Sequence, residues 1–172
     1  LSEVLGWHFV PPTVIWDGPY GIGSLQLFIK NDASITYFEL RDEHPQDVKR
    51  IATFDLLINN TDRKGGHCIK DQGGKVWGID HGLCFHSQNK LRTVIWDWAN
   101  ELIPDNLLAD IQKAHQAISE NTKDSRLLCE MLDETEVGAL LNRAETLLAQ
   151  ALFLQDGRRH GRQHGRKYNV KS

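Results

Sequence analysis

The sequence predicts an α+β fold, in which short strands come first and a largely helical half follows. Apolar residues recur at helical spacing in residues 45–59 and again in two long segments after residue 104. Between them, the turn residues 71–74 separate two short runs, which is the pattern of a β-hairpin. At 172 residues, with 40% hydrophobic and 25% charged residues, the chain suits one globular domain with a real core.

The first forty residues predict two strands and little helix. Residues 1–7 carry a short helical face, and residues 10–16 predict a strand. Residues 25–29 are apolar except for Gln26, which predicts a second strand buried on both faces. Residues 31–44 are polar and irregular, so we expect a linker there.

The later segments predict mostly helices. They cover residues 45–59, a segment that opens at Pro104, residues 123–132 and residues 134–153. Asp133 and Glu136 form a capping pair for the last of them. Residues 91–98 are aromatic and β-branched and predict a strand, with Trp96 and Trp98 on one face.

Residues 54–85 carry the pattern of a phosphoryl-transfer site. The apolar helical run gives way to a polar loop that contains Asp62 and His67, and two glycines between these residues let the chain bend back. The hairpin that follows returns Asp80 towards Asp62. Asp55 lies one turn before the loop, where it is a candidate to order the loop through a hydrogen bond.

Protein kinases use this arrangement: an Asp that positions the nucleophile, a metal ligand five residues later, and a second Asp after a hairpin. Asp62, His67 and Asp80 occupy these three places, and Arg63 and Lys64 supply cations that could meet phosphate oxygens. Mg²⁺ prefers hard oxygen ligands, which suits Asp80. His67 stands where kinases have Asn, so Mn²⁺ or Zn²⁺ could replace Mg²⁺, or His67 could only hydrogen-bond a phosphate.

Three motifs together resemble the phosphatidylinositol 3- and 4-kinase-like superfamily. They are GSLQLFI at residues 23–29, NNTDRKGGH at 59–67 and GIDHGLCF at 78–85. The resemblance covers roughly residues 1–110 and is closest to the type II phosphatidylinositol 4-kinases and to a bacterial group of small relatives. It implies a protein-kinase-like fold that is mostly C-lobe, with a remnant of the N-lobe strands and a helical C-terminal subdomain.

The domain boundaries follow from this resemblance. Residues 1–40 would be the N-lobe remnant with the interlobe hinge, and residues 41–155 the kinase-like C-lobe. The family's Gly-rich strand pair and ATP-binding Lys do not occur in this sequence, and the chain begins at Leu1 in what resembles the middle of a helix. We therefore expect a fragment that lacks most of the N-lobe and could be inactive without it.

The resemblance also implies a reaction, namely transfer of the γ-phosphoryl group of ATP to a hydroxyl acceptor. Asp62 would orient the acceptor hydroxyl, and His67 and Asp80 would hold Mg²⁺, or Mn²⁺, across the phosphates. Backbone groups of the hinge would meet the adenine, and the hinge residues are Gln26, Leu27, Phe28 and Ile29. The acceptor could be a lipid headgroup, a protein or a small molecule.

Two other classes of function stay open. A pseudokinase or nucleotide-binding regulatory module would share these motifs without turnover. A metal-dependent hydrolase could instead use His67, Asp80, His81 and His86 as ligands, although they form no compact zinc motif.

Charge and cysteine content point to the surroundings of the protein. Residues 156–172 contain six Lys or Arg and one Asp, which leaves a net charge of −8 for residues 1–155. This Gly-rich basic tail is predicted to be disordered, and it could attract nucleic acid or anionic lipid or be simply solvated. No run approaches the ~20 apolar residues that span a bilayer, no signal peptide opens the chain, and the three cysteines suggest reduced thiols, so we expect a cytoplasmic protein.

Overall fold

A computed structural model describes residues 1–153 and confirms the α+β fold. The strands are β1 (Thr13–Gly18), β2 (Gly21–Gln26), β3 (Cys68–Lys70) and β4 (Val76–Gly78). The helices are α1 (Tyr37–Glu43), α2 (Pro45–Ile58), α3 (Asp105–Ser119), α4 (Arg126–Met131) and α5 (Glu134–Gln150). β1 pairs with β2 and β3 with β4, so the described chain carries two separate antiparallel hairpins.

Helix α2 runs through the centre of the core. Pro45 opens it at a position where the missing N–H group has no helical partner in any case, as predicted. Every residue from Ile51 to Ile58 is buried, because the helix packs against α1 on one side, α5 on another and β4 near its end. Asn59 ends α2 in the left-handed conformation, with φ of 54°, and the candidate site begins there.

The predicted helices of the second half are confirmed, with small changes at their ends. Helix α5 begins with the predicted capping pair: the Asp133 carboxylate accepts a hydrogen bond from the Glu136 N–H (2.8 Å), and the Glu136 carboxylate accepts one from the Asp133 N–H (3.1 Å). Helices α3 and α5 pack along each other and close the core behind α2.

The prediction that residues 25–29 form a strand buried on both faces is wrong. Strand β2 ends at Gln26, and the whole β1–β2 hairpin is exposed on both faces. Leu27 is 55% exposed and Phe28 85% exposed. An apolar run shows that a segment can be buried, but it does not supply the second layer that would cover it.

Residues 31–44 are not an irregular linker, because α1 forms within them. Its N-cap is Thr36, whose backbone N–H donates to the Glu39 carboxylate (2.8 Å). This capping box orders the start of the helix and allows Tyr37 and Leu40 to be buried. Helix α1 also runs across the predicted boundary at residue 40, and the division into lobe remnants stays a prediction.

The strand predicted at residues 91–98 is also wrong. The segment is a loop in which the Thr93 hydroxyl accepts a hydrogen bond from the Ile95 N–H (3.0 Å), and the Thr93 carbonyl accepts one from the Trp96 indole (2.7 Å). Residues 1–7 form one helical turn that Gly6 ends with φ of 69°.

Two expectations concern the chain's surroundings. None of the helices within residues 1–153 is sufficiently long and apolar to span a membrane. The basic tail predicted at residues 156–172 lies outside the described residues, and cytoplasmic localisation stays a prediction.

Candidate active site

A buried ion pair organises the polar loop that follows α2. The Arg63 Nε and Nη2 atoms each donate to one oxygen of the Asp55 carboxylate, both at 2.8 Å. Neither side chain is exposed to solvent. The Asn60 amide also donates to Asp55 (2.9 Å), so the carboxylate from the last turn of α2 holds two residues of the loop. The ordering role predicted for Asp55 is confirmed.

The remaining donors of Arg63 join this loop to the second hairpin. Its Nη1 donates to the carbonyls of His67 (3.2 Å) and Ile79 (2.9 Å), and Nη2 also donates to the His81 Nε2 atom (2.8 Å). All five N–H groups of the guanidinium are therefore used. The suggestion that Arg63 contacts phosphate oxygens needs correction, because its cation lies under the loop and does not reach the surface.

The base of the β3–β4 hairpin lies directly above this cation. The Ile79 N–H donates to the His67 carbonyl (2.9 Å), which brings the two ends of the hairpin together. Asp80 follows in the left-handed conformation, with φ of 57°. Asp and Asn adopt this conformation more readily than most residues, and such backbone outliers cluster at functional sites.

His67 and Asp80 are in contact, as the sequence pattern predicts. The His67 Nε2 atom lies 3.2 Å from an Asp80 carboxylate oxygen. Burial lowers the pKa of His67, although the Asp80 charge acts in the opposite direction, so the neutral form of the imidazole is favoured. Its Nδ1 atom accepts from the Lys64 N–H (3.4 Å), which leaves Nε2–H as the donor to Asp80.

Asp62 lies in the same loop as His67. Its backbone N–H donates to the Asn60 side chain (3.0 Å), and its carboxylate accepts a hydrogen bond from Lys64 Nζ (2.7 Å). That hydrogen bond is the main reason why the pKa of Asp62 is lowered, with smaller effects from the charges of Lys64, Arg92 and His67. The charges of both Asp62 and Asp80 act to raise the pKa of His67, against the larger effect of burial. His67 therefore contacts the Asp80 carboxylate, and its loop also carries Asp62.

The segment after Asp80 is bonded along the other side of the loop. The Thr61 N–H donates to the Leu83 carbonyl (3.0 Å), and the Arg92 N–H donates to the Asn60 carbonyl (2.9 Å). The Asn59 amide donates to the carbonyls of His86 (2.9 Å) and Gln88 (2.7 Å). Asn59 and Asn60 thus fix the loop between α2 and residues 83–92, a role that their neutral side chains did not reveal in the sequence.

The ligand cluster of the hydrolase alternative does not form. The His81 Nε2 atom accepts from Arg63, and burial together with the Arg63 charge lowers the pKa of His81 to about 3. The His86 ring lies apart, with Nδ1 accepting from the Gln88 N–H (3.0 Å). In the described part of the chain, no three His, Cys, Asp or Glu side chains are grouped closely enough to hold a metal ion.

A nucleotide-bound Mg²⁺ is compatible with the groups that are present. Asp80 offers a hard oxygen ligand, and its side chain is 56% exposed, so an ion can reach it. Mg²⁺ is usually bound by one or two carboxylates together with substrate phosphates and waters, so a full cage of protein ligands is not required.

The predicted adenine-binding residues lie at the end of the first hairpin. The Gln26 amide donates to the Thr13 hydroxyl (2.9 Å), and the Leu27 N–H donates to the Pro12 carbonyl (2.8 Å). Phe28 and Ile29 follow outside the strand. Asn31 then pairs with Asp71, which places this segment against the turn end of the β3–β4 hairpin.

The three cysteines are free thiols, as predicted. Burial raises the pKa of Cys68 and of Cys84 to about 12, so neither forms a thiolate near neutral pH.

Comparison with known proteins identifies the family. The family described as Phosphatidylinositol 3- and 4-kinase matches residues 17–152. The chain is 37% identical over 185 residues to Protein Rv2133c of Mycobacterium tuberculosis, an alignment that covers 87% of this chain and 66% of that protein. It is 33% identical over 111 residues to Phosphatidylinositol 4-kinase gamma 4 of Arabidopsis thaliana, covering 56% of this chain and 20% of the plant protein.

A rice protein gives a similar result. The chain is 32% identical over 106 residues to Phosphatidylinositol 4-kinase gamma 4 of Oryza sativa subsp. japonica, covering 56% of this chain and 18% of that protein. The chain therefore spans about two thirds of the mycobacterial relative and about a fifth of the plant relatives. Because the family match covers nearly all the described residues and all three motifs, the chain belongs to the phosphatidylinositol 3- and 4-kinase family.

Proposed function

We propose that this chain carries the catalytic loop and metal site of an enzyme that transfers the γ-phosphoryl group of ATP to a hydroxyl acceptor. The observation that carries the proposal is the contact between His67 and Asp80 at the base of the β3–β4 hairpin, beside the loop that carries Asp62. Family membership supports the same class of reaction.

In this proposal the chain's own residues mostly position the reactants. Asp62 orients the acceptor hydroxyl, and Asp80 would hold Mg²⁺, or Mn²⁺, which would neutralise charge on the phosphates. Lys64 is 61% exposed and can turn from Asp62 to a phosphate oxygen. Arg63 acts as a positioning residue, because its five hydrogen bonds fix the loop to the hairpin.

The nucleotide would extend along the β3–β4 hairpin. Asn31 marks the turn end, and three residues of β3 separate that end from the base, a distance of about 10 Å. We propose that backbone groups of Gln26–Ile29 meet the adenine there, with Phe28 and Ile29 the best placed because the Leu27 N–H is already bonded.

Replacing Asp62 with Asn is expected to lower the rate of phosphoryl transfer by about 10²- to 10⁴-fold, because the carboxylate that accepts or orients the proton is lost. Nucleotide affinity should stay within about threefold, since Asp62 lies on the acceptor side. Labelled ATP offered with lipid, protein and small-molecule acceptors measures the rate for the wild type and the variant. Equal rates in the two proteins would exclude Asp62 from the reaction.

A pseudokinase is the second candidate, and one contact favours it. Lys64 Nζ donates to an Asp62 carboxylate oxygen at 2.7 Å, and this hydrogen bond lowers the pKa of Asp62, which makes the carboxylate a weaker proton acceptor. Nucleotide binding without transfer to any class of acceptor would support this candidate and contradict the enzyme.

The role of His67 can be tested by exchanging the metal. If the His67 imidazole is a ligand, ATP should bind more tightly with Mn²⁺ than with Mg²⁺, because nitrogen ligands favour transition metals. His67→Asn, which restores the kinase pattern, should remove this preference by about tenfold or more in the ratio of the two affinities. Titration calorimetry with each metal measures both ratios, and an unchanged ratio would show that His67 only hydrogen-bonds Asp80 or a phosphate.

A further inference from the structure

A cavity lies between α5 and the segment after Asp80, and the proposed reaction does not use it. Its volume is about 330 Å³, which is at the lower end of the range for small-molecule sites. Polar side chains line it, namely Ser87 and Asn89 from the segment and Asn142, Arg143 and Thr146 from α5. Leu56, Leu91 and Leu147 supply an apolar wall.

Arg143 is the charged group of this cavity, and it has no acidic partner. Its Nε donates to the Leu57 carbonyl (2.7 Å), and Nη1 makes a long contact with the His86 carbonyl (3.4 Å). Within residues 1–153, no carboxylate lies within 4.0 Å of the guanidinium, and its Nη2 atom is buried without a hydrogen-bond partner. Burial lowers the pKa of Arg143, and no acidic neighbour acts against it.

A simpler role for Arg143 explains only part of this arrangement. Leu57 belongs to the last turn of α2, so the Nε contact places a cation at a helix C-terminus, where the helix dipole favours it. That dipole is equivalent to about half a negative charge, which does not neutralise the full charge of a guanidinium whose Nη2 atom is buried. Residues 1–155 carry a net charge of −8, yet no acidic side chain within residues 1–153 pairs with Arg143.

We propose that this cavity binds a small organic anion, whose phosphate or carboxylate group contacts Arg143 and whose apolar part lies on Leu56, Leu91 and Leu147. Guanidinium groups pair with both kinds of anion through two parallel hydrogen bonds. Ser87, Asn89 and Asn142 can bond the remaining polar atoms of such a ligand. The proposal does not depend on phosphoryl transfer.

The cavity and the candidate active site share one segment of chain. Asn59 bonds to His86, Gln88 and the N–H of Lys90 (2.9 Å), and Arg92 bonds to the loop that carries Asp62. A ligand that lies on Ser87, Asn89 and Leu91 would therefore lie against the outer side of the segment that supports the loop.

Three probes test the site on the 172-residue chain: phenyl phosphate, benzoate and the neutral analogue phenol. Amide chemical shifts in an NMR titration locate the binding, and they also give the affinities. We expect the two anions to shift the signals of Ser87, Asn89 and Asn142, and we expect phenol to bind at least about tenfold more weakly than the better anion. Comparison of phenyl phosphate with benzoate shows which anionic group the site prefers.

Two variants separate the roles of charge and space. Arg143→Gln removes the cation, and Ala139→Phe fills the cavity from α5 while leaving Arg143 in place. Each should weaken binding of the better anion by about tenfold or more, whereas Arg126→Gln on α4 should leave it unchanged.

Arg143→Gln also removes a contact to α2, so Ala139→Phe decides the question if that variant unfolds. The proposal fails if neither anion binds the wild-type chain, if the shifted signals lie around Asp62 and Asp80, or if Ala139→Phe binds the anions as well as the wild type does. Equal affinity for phenol and the anions would also overturn it.

Discussion

Replacing Asp55 with Asn is expected to lower the free energy of unfolding by about 3–5 kcal/mol, which is the usual effect of removing one partner from a fully buried ion pair. The Arg63 guanidinium would stay buried with only neutral partners, since neither side chain of the pair reaches solvent. Urea denaturation, followed by tryptophan fluorescence, measures the loss.

A double variant separates the ion pair from general damage to the core. The double variant Asp55→Leu with Arg63→Met removes both charges. Its destabilisation should therefore be smaller, by at least about 2 kcal/mol, than the summed destabilisations of the single variants Asp55→Leu and Arg63→Met. Glu43→Gln provides the matched control, because the Glu43–Lys70 pair is at the surface and its loss should leave the urea midpoint nearly unchanged. Additive effects of the two buried changes would contradict the view that this pair holds the loop.

Replacing Asp80 with Asn is expected to weaken binding of ATP with Mg²⁺ by at least about 100-fold, because the change removes a carboxylate ligand rather than an outer contact. The fold should survive. Asn tolerates the positive φ of residue 80, and the contact with His67 is partly exposed and so contributes about 1 kcal/mol or less. Titration calorimetry with and without Mg²⁺ isolates the metal-dependent part of the affinity.

Asp97→Asn is the control for that experiment, since Asp97 pairs with Arg41 outside the loop and the hairpin. Its affinity should match that of the wild type. If Asp80→Asn binds ATP with Mg²⁺ as tightly as the wild type, Asp80 does not hold the metal.

Local patterns in the sequence predicted those parts of the fold that are determined by neighbouring residues. Pro45 at the start of α2, the capping pair at α5 and the turn residues between β3 and β4 all act within a few positions of themselves, and each is confirmed. The capping box of α1 was visible in the same way, as Thr36 followed by Glu39 three positions later, but the polar surroundings of residues 31–44 hid it.

The wrong predictions concern burial, which depends on distant parts of the chain. The apolar residues of the β1–β2 hairpin satisfy the pattern of a buried strand, yet the described chain places no second layer over them. In the loop at residues 91–98, the Thr93 side chain and carbonyl bind the chain locally, which competes with strand pairing.

In the candidate site too, local spacing was predictable from the sequence and burial was not. Motif spacing predicted that Asp62, His67 and Asp80 belong together, because a loop and a short hairpin limit how far they can separate. The burial of the Arg63 side chain could not be predicted, since a charged residue next to Asp62 is equally suited to the surface and to a buried pair with Asp55. Only the three-dimensional path of α2 shows that the Asp55 carboxylate lies beneath the loop.

The most direct test of the central claim uses ATP with paramagnetic Mn²⁺ bound to the chain. If Asp80 binds the metal of the nucleotide next to the loop that carries Asp62, the amide NMR signals of both residues should broaden at low Mn²⁺ concentration, and Asp80→Asn should abolish both effects. Undiminished broadening in the variant, or no broadening at Asp62, would show that the metal does not lie at Asp80 beside this loop.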